Sequence, residues 1–477
     1  MNTFTYAVIG LGKLGASMAA AIASRGYEVI GVDVNRRSVD LINAGRAPVQ
    51  ETGLTELIQA NRERIRATTD MREAVLGSDL AFVIVPTPSE GSGAFSLKFA
   101  AEAFREIGRA LAEKRGYYTV VLTSTVLPGA TRLGLMPLLE AESGKTAGQD
   151  FGLCYSPEFI ALGSVIRDFL HPDFTLIGEY DKRSGDLLSE CYSQILPENP
   201  PCERMSLENA ELAKIAVNTY VTMKITYANM LAELCEQIPG GNVDVVTKAV
   251  GRDKRIGSKY LTGALGYGGP CFPRDNTALS FLARSLGVRA ELAETTDAVN
   301  RSLVPKALEK LKRELRPGTT AAVLGLAYKP HSHVLEESQG LFLAHALAKS
   351  GVRVIAYDPL SAAMGIGTEA KAGMNGWLLQ HSLQHSLDEA DIVLITTPDP
   401  MFRALNSSNF ARSKPTVTVV DFWRILEREL VGHQPRIHYL PIGRSLRDEQ
   451  NQARLRELWE TAIGAPVHGH SVGAGAD

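Results

Sequence analysis

The sequence predicts an α/β protein built from two Rossmann-like, doubly wound domains joined by a long central helix. Three observations carry this reading. Strand-like runs alternate with helical stretches in two separate parts of the chain, several of those runs are apolar throughout, and residues 206–237 between the parts are helical in pattern with no glycine or proline. A strand without polar residues is one buried on both faces, as in a parallel sheet covered by helices.

Taken in order, the β-branched and aromatic run Thr5–Ile9 ends on Gly10, and residues 14–24 follow with helix-forming alanines until Gly26 closes them. Further strands fit Glu28–Val32 and residues 80–85 and 119–122, with a helix over 97–113. The first domain is expected over residues 1–200, where Pro197, Pro200 and Pro201 interrupt the pattern. The long helix then starts with Ser206 as cap and Glu208 and Glu211 early, and stops at Pro239-Gly240-Gly241. It exceeds the usual span of about 8–20 residues. It is therefore expected to bridge domains or form a dimer seam, a buried core helix being the plainer alternative. It opens a central segment assigned to 201–300. After Pro317-Gly318 the alternation resumes, with strands over 319–324, 352–357, 392–396 and 417–420 and a helix over 341–349, which sets a second domain at 301–465. The small, polar tail 466–477 is expected to be disordered.

Composition narrows the function classes. A chain of 477 residues exceeds one domain, and 45% hydrophobic with 22% charged residues is that of an ordinary globular protein, not a fibrous or membrane-spanning one. With a net charge of −3 and scattered cations, no footprint for nucleic acid or a membrane surface exists, so an anionic ligand needs a local pocket. Five cysteines form no Cys-x-x-Cys pair, which favours free thiols in a reducing compartment. No basic-then-apolar leader and no apolar run of about 18 residues occurs, so the chain is read as cytoplasmic. No metal site is assigned.

Gly10-Leu11-Gly12-Lys13-Leu14-Gly15 is a G-x-G-x-x-G element between a strand and a helix, where Gly10, Gly12 and Gly15 allow a tight turn and the helix N-terminus faces a pyrophosphate. Asp33 lies 18 residues beyond Gly15 at the end of the next strand, where an acid takes a ribose diol and disfavours a 2′-phosphate. NAD is the expected cofactor, the alternative being a tight turn in a non-binding domain. The second sheet lacks this pattern, and Lys329 in Tyr328-Lys329-Pro330 suits a phosphate or is a solvated charge. Cys271 sits in Gly268-Gly269-Pro270-Cys271-Phe272-Pro273-Arg274-Asp275, a rigid loop with charges nearby; a buried inert thiol is the ordinary reading. Lys214 and Asn218 share one helix face, and Glu158 follows the apolar run Phe151–Tyr155 at a strand end.

Read together with Ser124-Thr125-Val126, these motifs in this order resemble the UDP-glucose/GDP-mannose dehydrogenase family from about residue 5 to 460. The resemblance implies oxidation of a nucleotide sugar's C6 alcohol to the carboxylate with two NAD+. Cys271 would form a thiohemiacetal and then a thioester, Lys214 and Asn218 would hold the oxyanion, Glu158 would serve as base for the hydrolytic water, and Asp275 and Thr125 would orient water. It also implies Arg255, Tyr260, Tyr267 and Lys329 as nucleotide-sugar contacts, with substrate between the two domains and a homodimer or higher oligomer as the working unit. Three departures stand out: Leu162 where the family often has an acid, Glu336 where it often has arginine, and Arg424 displaced within Asp421-Phe422-Trp423-Arg424. Two other functions remain open: a two-electron hydroxyacid dehydrogenase of the 6-phosphogluconate type, and a nucleotide-sugar-binding protein without turnover.

Overall fold

The computed structural model describes residues 4–312, 314–316, 318–361, 376–410, 416–431 and 436–463. The tail assigned to 466–477 lies outside them. Packing divides the chain into two units, Met1–Thr219 with Arg274–Glu291, and Tyr220–Pro273 with Leu292–Asp477. This division differs from the linear one into 1–200, 201–300 and 301–465. The helices Leu207–Cys235 and Phe272–Ser285 each pass from one unit into the other. Residues after Arg274 rejoin the first unit because Ala278 buries its methyl against Phe95 and Ile215 there.

The first unit holds β1 (Thr5–Ile9), β2 (Glu28–Val32), β3 (Ile65–Thr68), β4 (Leu80–Val83), β5 (Tyr118–Leu122), β6 (Phe151–Tyr155), β7 (Thr175–Glu179) and β8 (Cys202–Ser206), in the spatial order β3-β2-β1-β4-β5-β6-β7-β8. Successive side chains of β1 enter opposite cores, Tyr6 and Val8 with Met18 and Ile22, Ala7 and Ile9 with Phe104 and Ile107. That two-sided burial is why the strand carries no charged residue. The sheet is parallel except at one place: β6 and β7 are antiparallel, with Tyr155 opposite Gly178, the chain turning back between them through residues 156–174. The long helix begins at Leu207, and Ser206 ends β8 while its hydroxyl accepts from the Asn209 N–H at 3.4 Å, the expected cap.

The second unit holds β9 (Thr320–Leu324), β10 (Arg353–Tyr357), β11 (Trp377–Leu379), β12 (Ile392–Ile395), β13 (Val417–Asp421) and β14 (Ile437–Pro441), all parallel, in the order β11-β10-β9-β12-β13-β14. Both sheets therefore reverse strand order between their first and fourth strands, the crevice where open α/β sheets bind ligands. Among the described residues no helix is long and apolar enough to cross a membrane.

Candidate active site

The glycine turn forms a cradle with one open side. Gly10 has φ +96°, and a Cβ there would lie 2.2 Å from the Ile84 carbonyl oxygen; a Cβ on Gly15 would lie 1.8 Å from the Gly10 oxygen. A Cβ on Gly12 would meet nothing within 4 Å. Gly10 and Gly15 thus close the turn, and Gly12 leaves the approach to the helix Lys13–Ser24 clear, whose N-cap carries no side-chain bond. Asp33 follows β2 directly. Its Oδ2 accepts from the Leu11 N–H at 2.7 Å and its Oδ1 from the Asn35 N–H at 2.8 Å, which orient the carboxylate and leave each oxygen a lone pair for a diol hydroxyl. These residues fit NAD.

In the same unit, Asn218 Nδ2 donates to Asp275 Oδ2 at 2.6 Å, and the other Asp275 oxygen lies 3.5 Å from Arg274 Nε. Asp275 is 1% exposed. Burial pushes its carboxyl up from the ordinary range, against the pull of Arg274, Asn218 and Lys214. Lys214 Nζ donates to the Glu158 carbonyl oxygen at 2.5 Å and stands 4.4 Å from the centre of the Phe159 ring. The Glu158 carboxyl is pushed up to about 7 by desolvation, with Lys214 and the Tyr192 hydroxyl opposing. A glutamate that titrates near neutrality is poised for proton transfer.

Thr125 lies beyond the end of β5. Its carbonyl accepts from the Thr87 hydroxyl at 2.8 Å, while Ser124 Oγ donates to the Val85 carbonyl at 2.7 Å and accepts from the Val85 N–H at 2.9 Å. A π-helix, Ala130–Leu135, follows. Glu211, fully buried, accepts from the N–H groups of Gly129 and Thr131 at 2.6 and 2.8 Å, tying this segment to the long helix one turn before Lys214. Sequence reading took Glu211 only as an early helix acid; its position on the Lys214 face was the available signal. Arg274 was likewise read only as local charge. It donates to the Thr87 carbonyl at 3.2 Å and stacks 4.5 Å from the Phe95 ring centre.

Cys271 is exposed and immediately precedes the helix Phe272–Ser285, one turn before Asp275. In the glycine-rich segment before it, a Cβ on Gly268 would lie 2.2 Å from the Glu337 carbonyl oxygen, so close backbone packing explains the residue choice. The Gly269 N–H donates to the Glu336 carbonyl at 3.0 Å, so the backbone of the departed position Glu336 supports this loop.

The remaining sequence candidates fall into different settings. Arg255 is highly exposed and ion-paired with Asp253 at 2.6 Å. Tyr260 is exposed with φ +66°. Tyr267 is buried, its hydroxyl donating to Asp297 at 3.4 Å. Lys329 is half-buried beside the Tyr328 ring, and Leu162 is half-buried. Arg424 is withdrawn: its guanidinium bonds both oxygens of Asp244 at 2.9 Å and the carbonyls of Phe422 and Ile442 at 2.8 Å. Trp423, half-buried, donates instead from its indole to the Thr396 carbonyl at 2.8 Å. No group of three potential metal ligands occurs among the described residues.

A dinucleotide turn with a diol-binding acid, and a lysine-amide-carboxylate cluster carried by two helices of the same unit against the segment that follows β6, define an NAD-dependent dehydrogenase. Three consecutive parts of the chain match one family: residues 4–196 its NAD binding domain, 208–302 its central domain and 322–428 its UDP binding domain. The chain belongs to the UDP-glucose/GDP-mannose dehydrogenase family. It is 36% identical over 408 residues to a GDP-mannose 6-dehydrogenase of Pseudomonas putida, covering 83% of this chain and 92% of that one. It is 33% identical to a UDP-glucose 6-dehydrogenase of Rhizobium meliloti, covering 92% and 99%. A UDP-glucose dehydrogenase structure from Pyrobaculum islandicum superposes with TM-score 0.82 at 31% identity, covering 93% of this chain and 98% of that one.

Proposed function

We propose that this chain oxidises the C6 alcohol of a nucleotide sugar to the uronate in two NAD-dependent steps, through a thioester on Cys271. The observation that carries the reading is the buried cluster in which Lys214 meets the Glu158 segment while Asn218 holds Asp275 at 2.6 Å. NAD, when bound, accepts the hydride that leaves C6 in each oxidation. In the first step the alcohol loses the hydride from C6 and gives its hydroxyl proton to water, and so becomes the aldehyde. The Cys271 sulfur then adds to the aldehyde carbon, and the oxygen that gains negative charge is stabilised by the Lys214 ammonium and the second Asn218 N–H. Loss of hydride from this adduct leaves a thioester. Glu158 takes a proton from water as its oxygen adds to the thioester carbonyl; the C–S bond breaks, sulfur leaves with the electron pair, and the carboxylate is released. Asp275, through Asn218, fixes the amide, and the Thr125 hydroxyl orients water. Cys271 heads a helix, where first-turn N–H groups favour negative charge on a neighbouring atom.

Arg255, Tyr260, Tyr267 and Lys329 are assigned to the nucleotide sugar. The working unit is a homodimer: Tyr220, Tyr227 and Leu234 recur every seven residues on the long helix and are 56%, 49% and 50% exposed, a seam that suits a second copy.

The test is stoichiometry. With UDP-glucose, UDP-galactose, UDP-N-acetyl sugars and GDP-mannose offered in turn, one of them yields two NADH per sugar, and Cys271→Ser loses steady turnover while still binding NAD and the sugar nucleotide. One NADH per substrate would mean a two-electron hydroxyacid-type enzyme, and binding without NADH a non-catalytic protein.

A further inference from the structure

Behind Glu158 the first unit holds a chain of buried hydroxyl groups that the mechanism leaves unused. Ser156, in the segment leaving β6, is 1% exposed, and Tyr192, on the helix Lys182–Ile195, is 4% exposed. Their oxygens lie 2.7 Å apart, and Ser156 Oγ donates to the Leu176 carbonyl of β7 at 2.9 Å. A hydroxyl has one proton to give. Serine's is committed to Leu176, so Tyr192 is the donor between the two. Ser156, Glu158 and Tyr192 border one cavity of about 10 Å³, together with Pro157, Phe169 and Pro172 among others, and the Tyr192 hydroxyl pulls the Glu158 carboxyl down against the effect of its burial. The other charged group facing Glu158 is Lys214 of the long helix; near Tyr192 the titratable groups besides Glu158 are Cys154 and Cys202.

We propose that Tyr192 and Ser156 are positioning residues forming a proton-responsive relay for Glu158, in which the Tyr192 hydroxyl donates to the carboxylate when Glu158 is charged and to Ser156 when Glu158 carries a proton. In the protonated state every O–H points the same way, from Glu158 to Tyr192 to Ser156 to the Leu176 carbonyl. In the charged state the tyrosine proton turns to the carboxylate. Hydroxyl rotation is all the relay does, and the only proton transferred is the one Glu158 takes from water. The proposal rests on the reading of Glu158 as base.

The two members act with opposite sign. A hydrogen bond to a charged acceptor is the stronger kind, so Tyr192→Phe takes more from the charged state and moves the acid limb of the kcat profile up by about one pH unit. Ser156→Ala removes the acceptor that the protonated state uses and moves the limb down by about half a pH unit. General damage to packing would slow the enzyme without moving the limb, or move it the same way in both variants. The experiment is the kcat–pH profile of the full-length enzyme and both variants, beside an infrared pH titration of the Glu158 carboxyl, identified by its loss in Glu158→Gln. Opposite displacements in both readouts are expected. Absence of displacement, or displacement in one direction for both variants, overturns the relay; should Tyr192→Phe not fold, the direction in Ser156→Ala decides alone. If the infrared titration divides as expected while kcat ignores all three substitutions, the relay holds and the role of Glu158 as base falls.

Discussion

Glu158 and Asp275 are carboxylates displaced in one direction by one cause, yet suited to different work. Burial raises both, but Asp275 is locked by Asn218 and flanked by Arg274, whereas Glu158 keeps a carboxyl that titrates at about 7. A general base acts only when unprotonated, and a raised pKa places its loss of activity at higher pH. Turnover is therefore expected to fall tenfold per pH unit as pH drops below about 7, and Glu158→Gln to lower kcat by roughly 10²–10⁴-fold and remove that limb. A profile flat from pH 5 to 8 would contradict the assignment. At this scale the sequence pointed to Glu158, Lys214, Asn218 and Asp275 by motif. It could not show that Arg424 is spent inside its own unit on Asp244, or how far Tyr267 is buried, because burial depends on residues remote in the chain.

The two sheets share a strand order but differ at their first turns. In the first, one N–H of the turn, that of Leu11, is taken by Asp33; in the second, Leu326 and Ala327 both donate to Asp358 Oδ2, at 2.8 and 3.0 Å. The second turn thus commits two N–H groups internally, in keeping with its lack of the glycine pattern. For the first turn the glycines separate folding from binding. Gly12→Ala is expected to melt close to the parent but bind NAD at least about tenfold more weakly, since its methyl enters the phosphate approach. Gly15→Ala, whose methyl meets backbone oxygen, is expected to lose about 1–3 kcal/mol of stability as well. Thermal melts and NAD titrations of both variants check this, and equal stability losses would sink the distinction. The buried strands β1, β2, β4 and β5 were legible from their apolar runs. Edge strand β8, Cys-Glu-Arg-Met-Ser, and the short β3 and β11 were not, since a strand with one wet side lacks that signature.

For the whole molecule, the long helix carries the clearest expectation. If Tyr220, Tyr227 and Leu234 face a second copy, Tyr227→Glu with Leu234→Glu converts a dimer into a monomer in sedimentation, with each unit still folded by circular dichroism. A monomeric parent chain would end that reading. By itself the sequence determined the fold class, the dinucleotide turn with Asp33, and the order of motifs that places the chain in its family, because these reside in local periodicity and in residues close along the chain. Tertiary structure alone decided that β7 runs against β6, that the chain after Arg274 returns to the first unit, and that Asn218 meets Asp275 across 57 positions. It also decided which charges are buried enough to titrate near neutrality. Those outcomes depend on packing and desolvation between distant segments, and no local pattern encodes them.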